Sequence, residues 1–441
     1  MSPTKKPLLL TAIACTALFT FSFNAYAISL KEAVEDAVLH NPEFRQEVKA
    51  YQAIEAEIKA AKAGYYPSLD LNAGMGYEEV DRPGIDNTGN GLTRREASVK
   101  LTQNLFEGFG TQDEVNRLQY SLDAQSYKTL SKANDVALQM IQAYINLLKE
   151  KKLLNLAQTN LETHLKILDQ IQRRTEAGIG NQVEVDQAEA RLALARSNYG
   201  AVENRFFDAR AKFQRILGRM PEDNLIEPKA DFPLPKTLED AINVALMDHP
   251  TLKSANSDIA EAKMQYELSA TNNYPRVDLE VEKTFDNNLS GIEGKNEYLQ
   301  AMVRFKYNLY NGGRDSANRE RTASNFQQAT EIRNNTHRQV IENLKYAWNA
   351  KVYINNQLDY MRQHIKLTRD TLNGYRKQFS LGRRSLLDLL NTENEYINGL
   401  NTLVSSEADQ LTAKYRILNA TGHLLNTMGI DYDFIQSSET P

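Results

Sequence analysis

The chain has 441 residues, of which 25% are charged and 41% hydrophobic, close to ordinary globular proportions; this excludes wholesale disorder and a polytopic helical membrane protein. Acidic residues outnumber basic ones by 57 to 52, the net charge is −5 and no strongly basic block occurs, so nucleic-acid binding has no electrostatic support. Only 12 prolines and 21 glycines interrupt the sequence, which predicts long unbroken elements, chiefly helices.

Residues 1–27 read as a secretory signal peptide. Lys5 and Lys6 form the charged start, Leu8 to Phe23 the apolar middle, and Ala25-Tyr26-Ala27 a small-x-small cleavage site. The competing reading, an N-terminal membrane anchor, fits less well because the apolar stretch is short and ends in that site. Cys15, the only cysteine, lies inside the leader, and loss of Lys5 and Lys6 takes the mature net charge from −5 to −7. The mature chain then has no disulfide, no thiolate metal site, no cysteine nucleophile and no lipid-anchor cysteine. Beyond residue 27 no run of 18 apolar residues occurs, so no helix is expected to cross a membrane. The periplasm, the exterior and a membrane β-barrel remain.

The mature chain then reads as one unit written twice. The first repeat, 28–218, opens with short helices over 28–65. Leu30, Val34, Ala37 and Val38 form an apolar face at a period of 3.6, and a second helix runs from Pro42 to about Ala63. The period then switches to two. Leu69, Leu71, Ala73, Met75 and Tyr77 alternate with polar or glycine residues in a strand over 67–81. After a Gly/Asn/Asp-rich loop (Arg82 to Arg94), Ala97, Val99, Leu101, Gln103 and Leu105 alternate in a strand over 96–106. A helical hairpin is expected over 111–217. From Thr111 to Glu176 there is neither proline nor glycine, and at about 1.5 Å per residue this run spans roughly 100 Å. The return arm carries Val185, Ala188, Leu192, Ala195, Tyr199, Val202, Phe206, Ala209 and Phe213 at 3,4 spacing, the stripe of a left-handed coiled coil.

A linker over 219–236 with Pro221, Pro228, Pro233 and Pro235 leads to the second repeat, 237–429. Here short helices are expected over 237–271, strands over 275–286 and 297–310, and a helical hairpin over 313–422, followed by a tail, 430–441, with few core signals. Leu30-Lys31-Glu32-Ala33 with Asn41-Pro42 matches Leu238-Glu239-Asp240-Ala241 with His249-Pro250 at an offset of 208. Tyr66-Pro67 matches Tyr274-Pro275 at the same offset, whereas Leu105, Gly108, Gly178 and Gly218 match Leu309, Gly312, Gly382 and Gly422 at 204.

Each of the four strands is apolar on one face and strongly polar on the other. That pattern fits outer-membrane strands with lipid outside and a wet lumen inside, and it also fits two soluble hairpins on a core. In the membrane case four strands are too few, because about eight are needed to enclose even side chains and an open edge cannot sit in lipid. Several chains must then share one barrel, and three would give twelve strands.

Signals of chemistry are absent. The histidines, His40, His164, His249, His337, His364 and His423, have no metal-site spacing, and neither a nucleophile elbow nor a phosphate loop occurs. No enzyme activity, cofactor or metal is expected. The informative positions are the hairpin turns, Ala177-Gly178-Ile179-Gly180-Asn181-Gln182 and Ser380-Leu381-Gly382-Arg383-Arg384-Ser385, where glycine stops each helix. The arginines of the second turn read either as charges favouring the helix dipole or as part of a gate or docking point.

Taken together, the duplicated Leu30-Lys31-Glu32-Ala33…Asn41-Pro42 element, Tyr66-Pro67-Ser68-Leu69-Asp70, Gln103-Asn104-Leu105-Phe106-Glu107-Gly108, Asn308-Leu309-Tyr310-Asn311-Gly312-Gly313 and the turn from Phe379 to Leu390 resemble the outer membrane factors typified by TolC. The resemblance implies a mixed α and β fold: a trimeric channel-tunnel with a shared twelve-stranded outer-membrane β-barrel, four strands per chain, and a long α-helical coiled-coil periplasmic barrel. It implies a passive export conduit in a Gram-negative outer membrane, joined to a periplasmic adaptor and to an inner-membrane ATP-driven (ABC) or proton-driven transporter. It also implies a tip gate at Gly178, Glu184, Phe379, Gly382, Arg384, Asp388 and Asn391. Arg384 and Glu184 stand where the family links its hairpins. Phe379 replaces a tyrosine and has no hydroxyl to donate. Asp388 matches one pore aspartate, and Asn391 stands in place of the other. The missing lipidation cysteine favours the branch serving type I protein secretion, of a large adhesin for example, over drug or metal efflux. The reading from a different class is a periplasmic coiled-coil adaptor, which would show lipoyl-like segments around one hairpin.

Overall fold

The computed structural model describes residues 28–81, 83, 91–221 and 225–430. The expected signal peptide and most of the first strand loop lie outside the described residues.

Each half of the chain starts with two capped helices. Ser29 and Glu32 form a capping box on α1 (Leu30–His40): the Glu32 amide donates to Ser29 Oγ at 3.3 Å, and the Ser29 amide to Glu32 Oε2 at 2.8 Å. Asn41 caps α2 (Pro42–Lys62), accepting from the Glu43 amide at 2.9 Å, with Pro42 at the first helical position. Four strands follow in the order β1 (Ser68–Glu78), β2 (Leu92–Phe106), β3 (Arg276–Asn287) and β4 (Lys295–Lys306), all antiparallel in one sheet. The counterparts of α1 and α2 in the second half are α5 (Leu238–Asp248) and α6 (Pro250–Leu268).

His249 stands where Asn41 stands in the first half, and its Nδ1 accepts from the Thr251 amide at 3.2 Å to cap α6. Burial holds the ring neutral, with its pKa pushed down to about 4 from 6.5. The unfolded chain therefore takes up the proton first. This contribution to stability is complete above about pH 6.5 and is lost as the pH falls toward 4, by up to about 3 kcal/mol. His249→Asn keeps a capping oxygen and removes the titration. Its urea midpoint is expected to fall less between pH 7 and pH 4.5 than that of the wild type; parallel falls would refute the assignment.

The strand register aligns all four apolar faces. One row runs Leu69, Leu101, Val281, Ala301, and the next Leu71, Val99, Lys283, Leu299. Leu71 is 73% exposed and Leu299 68%, so this face is not the core of the chain. Lys283 places a cation in the middle of it, 3.5 Å from Glu297 and 5.2 Å above the Phe285 ring. The other face is laced with charge: Glu280 pairs with Lys100 at 3.0 Å and with Arg304 at 2.9 Å, and Gln300 donates to Glu282 at 2.9 Å. β1 and β4 are the two edges, and neither has a strand on its outer side among the described residues.

Three strand boundaries differ from expectation by three residues or more. β1 ends at Glu78 instead of 81, and β2 starts at Leu92 instead of 96, because Leu92 to Arg95 pair with the end of β1. β4 stops at Lys306 instead of 310. Its counterpart β2 continues to Phe106 because Gln103, Asn104 and Phe106 pair with β3; residues 307–310 have no such neighbour.

Below the sheet, α3 (Gly110–Glu176) and α7 (Arg314–Ser380) each run 67 residues, roughly 100 Å. They return as α4 (Gln182–Leu217) and α8 (Leu386–Ala420). The return arms are only about half as long, and α2 and α6 pack beside the remaining upper parts of α3 and α7. The predicted stripe holds: Val185, Ala188, Leu192, Ala195, Ala209 and Phe213 are buried, and Tyr199, Val202 and Phe206 half-buried. Where α4 ends, α1 joins α3, α4, α8 and a short α9 (Leu424–Met428) in the largest core, centred on Met140, Ile141, Tyr144 and Phe213. The Tyr144 hydroxyl lies 2.8 Å from the Ile28 carbonyl oxygen and 2.7 Å from that of Ile226, tying the start of the described chain and the linker to this core. The sequence pattern missed α9, a single turn with Leu424 and Leu425 buried. Ile430, placed in the tail by sequence, is 4% exposed and belongs to the core; residues 431–441 lie outside the described residues. No helix among the described residues is long and apolar enough to cross a membrane.

Candidate functional site: the hairpin tips

At the end farthest along the hairpins, both turns use the same backbone device. The Ile179 amide donates to the Arg174 carbonyl at 2.9 Å and the Gly178 amide to that of Thr175 at 3.0 Å. In the second turn the Arg383 amide donates to Gln378 at 2.9 Å and the Gly382 amide to Phe379 at 3.0 Å. These are paired Schellman motifs, and they require the left-handed φ of Gly178 (+72°) and Gly382 (+71°). The return helices then start on side-chain caps. Asn181 Oδ1 accepts from the Glu184 amide at 2.9 Å, and Ser385 Oγ from the Asp388 amide at 3.1 Å. Glu184 and Asp388 therefore hold equivalent places on the two tips, each in the first turn of a helix where a carboxylate favours the dipole.

The two tips of one chain pack as a unit. Ile167, Ile171, Val185, Leu372, Phe379, Leu386, Leu389 and their neighbours form one buried cluster drawn from all four long helices. Phe379 is 8% exposed, and the Arg174 guanidinium lies 4.8 Å above its ring. It serves as an apolar anchor that crosses from one hairpin to the other.

Arg384 is held by its own hairpin. Its Nη2 donates to the Tyr375 hydroxyl at 2.5 Å, its guanidinium stacks 3.9 Å from that ring's centre, and its Nε lies 3.1 Å from Asp388 Oδ2. The Nε contact is an ion pair without hydrogen-bond alignment. The expected Arg384–Glu184 link is not made within one chain, because Tyr375 and Asp388 already hold the guanidinium. No ion pair of the Glu184 carboxylate occurs among the described residues. A tyrosine hydroxyl does meet Arg384, but it comes from Tyr375, one helical turn before Phe379, which sequence reasoning did not single out. The i, i+9 spacing across a glycine turn was the available signal.

Asn391 is not beside Asp388's partner. Its Oδ1 accepts from Arg191 Nη2 at 3.0 Å, which ties α8 to α4. Behind it the buried Glu393 carboxylate accepts from Nη2 of the exposed Arg376 at 2.6 Å. His164 is buried on α3 near Glu393 and Arg191, and burial lowers its pKa. Along the outgoing arms a groove of about 970 Å³ is lined by Lys166, Arg173, Arg174, Arg376 and the apolar Ile167, Ile179, Phe379 and Leu381. No group of acidic, histidine or cysteine residues able to hold a metal occurs among the described residues. The arrangement is a packed pair of tips with a cationic apolar groove beside it.

Residues 33–219 and 241–423 match the outer membrane efflux protein family, one stretch in each half of the chain. The chain belongs to that family. Membership places it in a Gram-negative outer membrane as a channel of export systems. Outer membrane efflux protein BepC of Brucella suis biovar 1 is 23% identical over 408 residues, covering 91% of this chain and 86% of the relative. Outer membrane protein TolC of Escherichia coli K12 is 23% identical, covering 94% and 86%. Proteases secretion protein PrtF of Dickeya chrysanthemi is 22% identical, covering 96% and 92%. Among solved structures, that of CusC, determined in connection with transmembrane channel formation, superposes with a TM-score of 0.78 at 15% identity, covering 91% of this chain and 92% of that one. This family is the one that the sequence motifs resembled, and the mixed fold of long hairpins under a four-stranded sheet agrees with it.

Proposed function

We propose that three copies of this chain close one twelve-stranded outer-membrane barrel on a tunnel of helical hairpins, and that the assembly is a passive conduit for type I protein secretion. The observation that carries this reading is the sheet. It has a continuous exposed apolar face, a charged opposite face and two unpaired edges. Strands of 11 to 15 residues suffice to cross a bilayer when tilted, for which about 9–11 are needed. Closure by further copies satisfies both edges. The channel hydrolyses nothing. A periplasmic adaptor gripping the cationic groove at the tips couples it to an inner-membrane ATP-driven or proton-driven transporter. The absence of cysteine after residue 27 and the similarity to PrtF, a proteases secretion protein, support a protein cargo. Small-molecule efflux is the second reading, favoured by the name of BepC.

The test is single-channel recording of the purified mature protein in a planar bilayer. A small, stable conductance from an SDS-resistant trimer is expected. A soluble monomer without conductance would overturn the barrel and return the adaptor reading. Deletion of the gene separates the cargoes: loss of a secreted protein supports the first reading, and drug sensitivity with normal secretion the second.

A further inference from the structure

The apolar face of the sheet is not uniform along its length. From the row of Val277 and Phe305, nearest the helices, up to the row of Leu69, Leu101, Val281 and Ala301, its strand residues carry no charge. The charges of this face among the described strand residues are Lys283, Glu297, Arg95 and Lys295, all toward the loop end, and three of the four are cations. The outermost two stand at a definite height. Asn287, which lies between Arg95 and Lys295 in one row, is ten residues along β3 from Val277. At about 3.3 Å per residue that is roughly 33 Å of strand, and a tilt of about 35–45° reduces it to about 25 Å. The apolar band of an outer-membrane barrel is about 25 Å tall, so the row of Arg95 and Lys295 falls at its upper edge, where lipid headgroups begin. Both side chains are exposed and have no ion-pair or hydrogen-bond partner among the described residues. Lys283, two rows lower, carries its ammonium toward them. Its Nζ is 3.5 Å from Glu297 and 5.2 Å from the centre of the Phe285 ring, and those two residues share the row above it. A lysine that starts within apolar surface and lifts its charge toward the headgroups is snorkelling.

We propose that Arg95, Lys283 and Lys295 form a binding site for the phosphorylated glucosamine headgroup of lipopolysaccharide, the lipid of the Gram-negative outer leaflet. The proposal rests on the barrel proposed above, which sets the apolar face against lipid and the strand loops outside. Charge complementarity selects the occupant. Arginine and lysine hold phosphate oxygens through charge-assisted hydrogen bonds, and an anionic headgroup layer draws such cations to its own depth. Arg95 and Lys295 are two strand spacings apart, about 10 Å, and Lys283 enters from below between them. That spread suits a headgroup with two phosphates on a disaccharide better than a single phosphodiester. Beside the cations, Met75 in the Arg95 row and Tyr77 one row above are exposed, which leaves a thioether for an acyl chain and a ring for a sugar face. The helical end of the same face meets the inner leaflet, and its uncharged rows offer an anionic headgroup nothing comparable.

Lipid binding by the purified mature protein in neutral detergent, read by native mass spectrometry, tests the site. The probe is bisphosphorylated lipid A, and the comparison lipids are lipid A stripped of both phosphates and phosphatidylglycerol. The wild type is expected to retain lipid A and to hold either comparison lipid at least tenfold less. Arg95→Gln with Lys295→Gln is expected to lower lipid A binding at least tenfold, and Lys283→Gln several-fold. Lys306→Gln removes an exposed cation from the opposite face at the helical end, and its lipid A binding is expected to equal that of the wild type. If the double variant fails to fold, the two comparison lipids on the wild type decide alone. Equal binding of lipid A and its dephosphorylated form, or undiminished binding by the double variant, would overturn the site, and a trimer that still conducts in a planar bilayer would then leave the channel reading intact. Preference for phosphatidylglycerol would overturn the choice of headgroup. A soluble monomer without conductance would overturn both the site and the barrel on which it rests.

Discussion

Arg384→Ala is expected to raise the resting single-channel conductance several-fold. The side chain makes three contacts that end with it: the bond to the Tyr375 hydroxyl at 2.5 Å, the stack on that ring at 3.9 Å, and the ion pair with Asp388 at 3.1 Å. A hydrogen bond to a charged group contributes about 1.5–3 kcal/mol, enough to move an open–closed equilibrium about tenfold or more. Between copies, Glu184 has no ion pair of its own among the described residues and occupies the same helix position as Asp388. On the multi-chain reading proposed above, a neighbouring Arg384 that turned from Asp388 to Glu184 would link two hairpins instead of stapling one. Both arrangements are lost with the arginine. Freeing the Asp388 carboxylate also makes the mouth more negative, so the permeability ratio of potassium over chloride is expected to rise. Tyr375→Phe removes only the hydroxyl, and a smaller increase without a selectivity change is expected. Equal conductance in all three proteins would mean that the tip is not held by this arginine.

Much of the fold is legible in the sequence. A run of 66 residues without proline or glycine has few ways to be anything but a helix, and the 3,4 stripe from Val185 to Phe213 fixes which side of the return arm packs. The switch to a period of two at Leu69 located the strands, and Gly178 and Gly382 marked the turns because the Schellman geometry needs their left-handed φ. Boundaries were less legible where they depend on a neighbour. β2 is longer than its alternation because Leu92 to Arg95 find β1, and β4 is shorter because its outer partner is another chain on the reading above. The side-chain partners at the tips were not legible. The resemblance implies an Arg384–Glu184 link between hairpins; within one chain the arginine reaches instead to Tyr375 and Asp388, close neighbours across and beyond its own turn. The Arg191–Asn391 bond joins residues 200 apart, which no local pattern reports.

A single arginine placed on either face of β2 separates lipid from lumen. Leu101 lies in the row Leu69, Leu101, Val281, Ala301, with apolar neighbours on both sides. Leu101→Arg puts a cation on the face assigned to lipid, at a cost of about 2–4 kcal/mol per chain near the bilayer midplane. In a closed trimer the cost is incurred three times, so the SDS-resistant trimer is expected to be lost or to fall to a small fraction of the wild-type yield in outer-membrane extracts. Thr102, the next residue, points to the other face, between Ser68 and Glu280. Glu280 already holds Lys100 and Arg304 on that face. Thr102→Arg is therefore expected to assemble normally and to lower cation selectivity, because three added charges line a wet lumen. The comparison is internal: the same side chain, one residue apart on one strand, at nearly the same depth. If both variants assemble alike, neither face meets lipid. If Thr102→Arg alone fails, the sheet faces the other way round and the charged ladder, not the apolar row, lies outside.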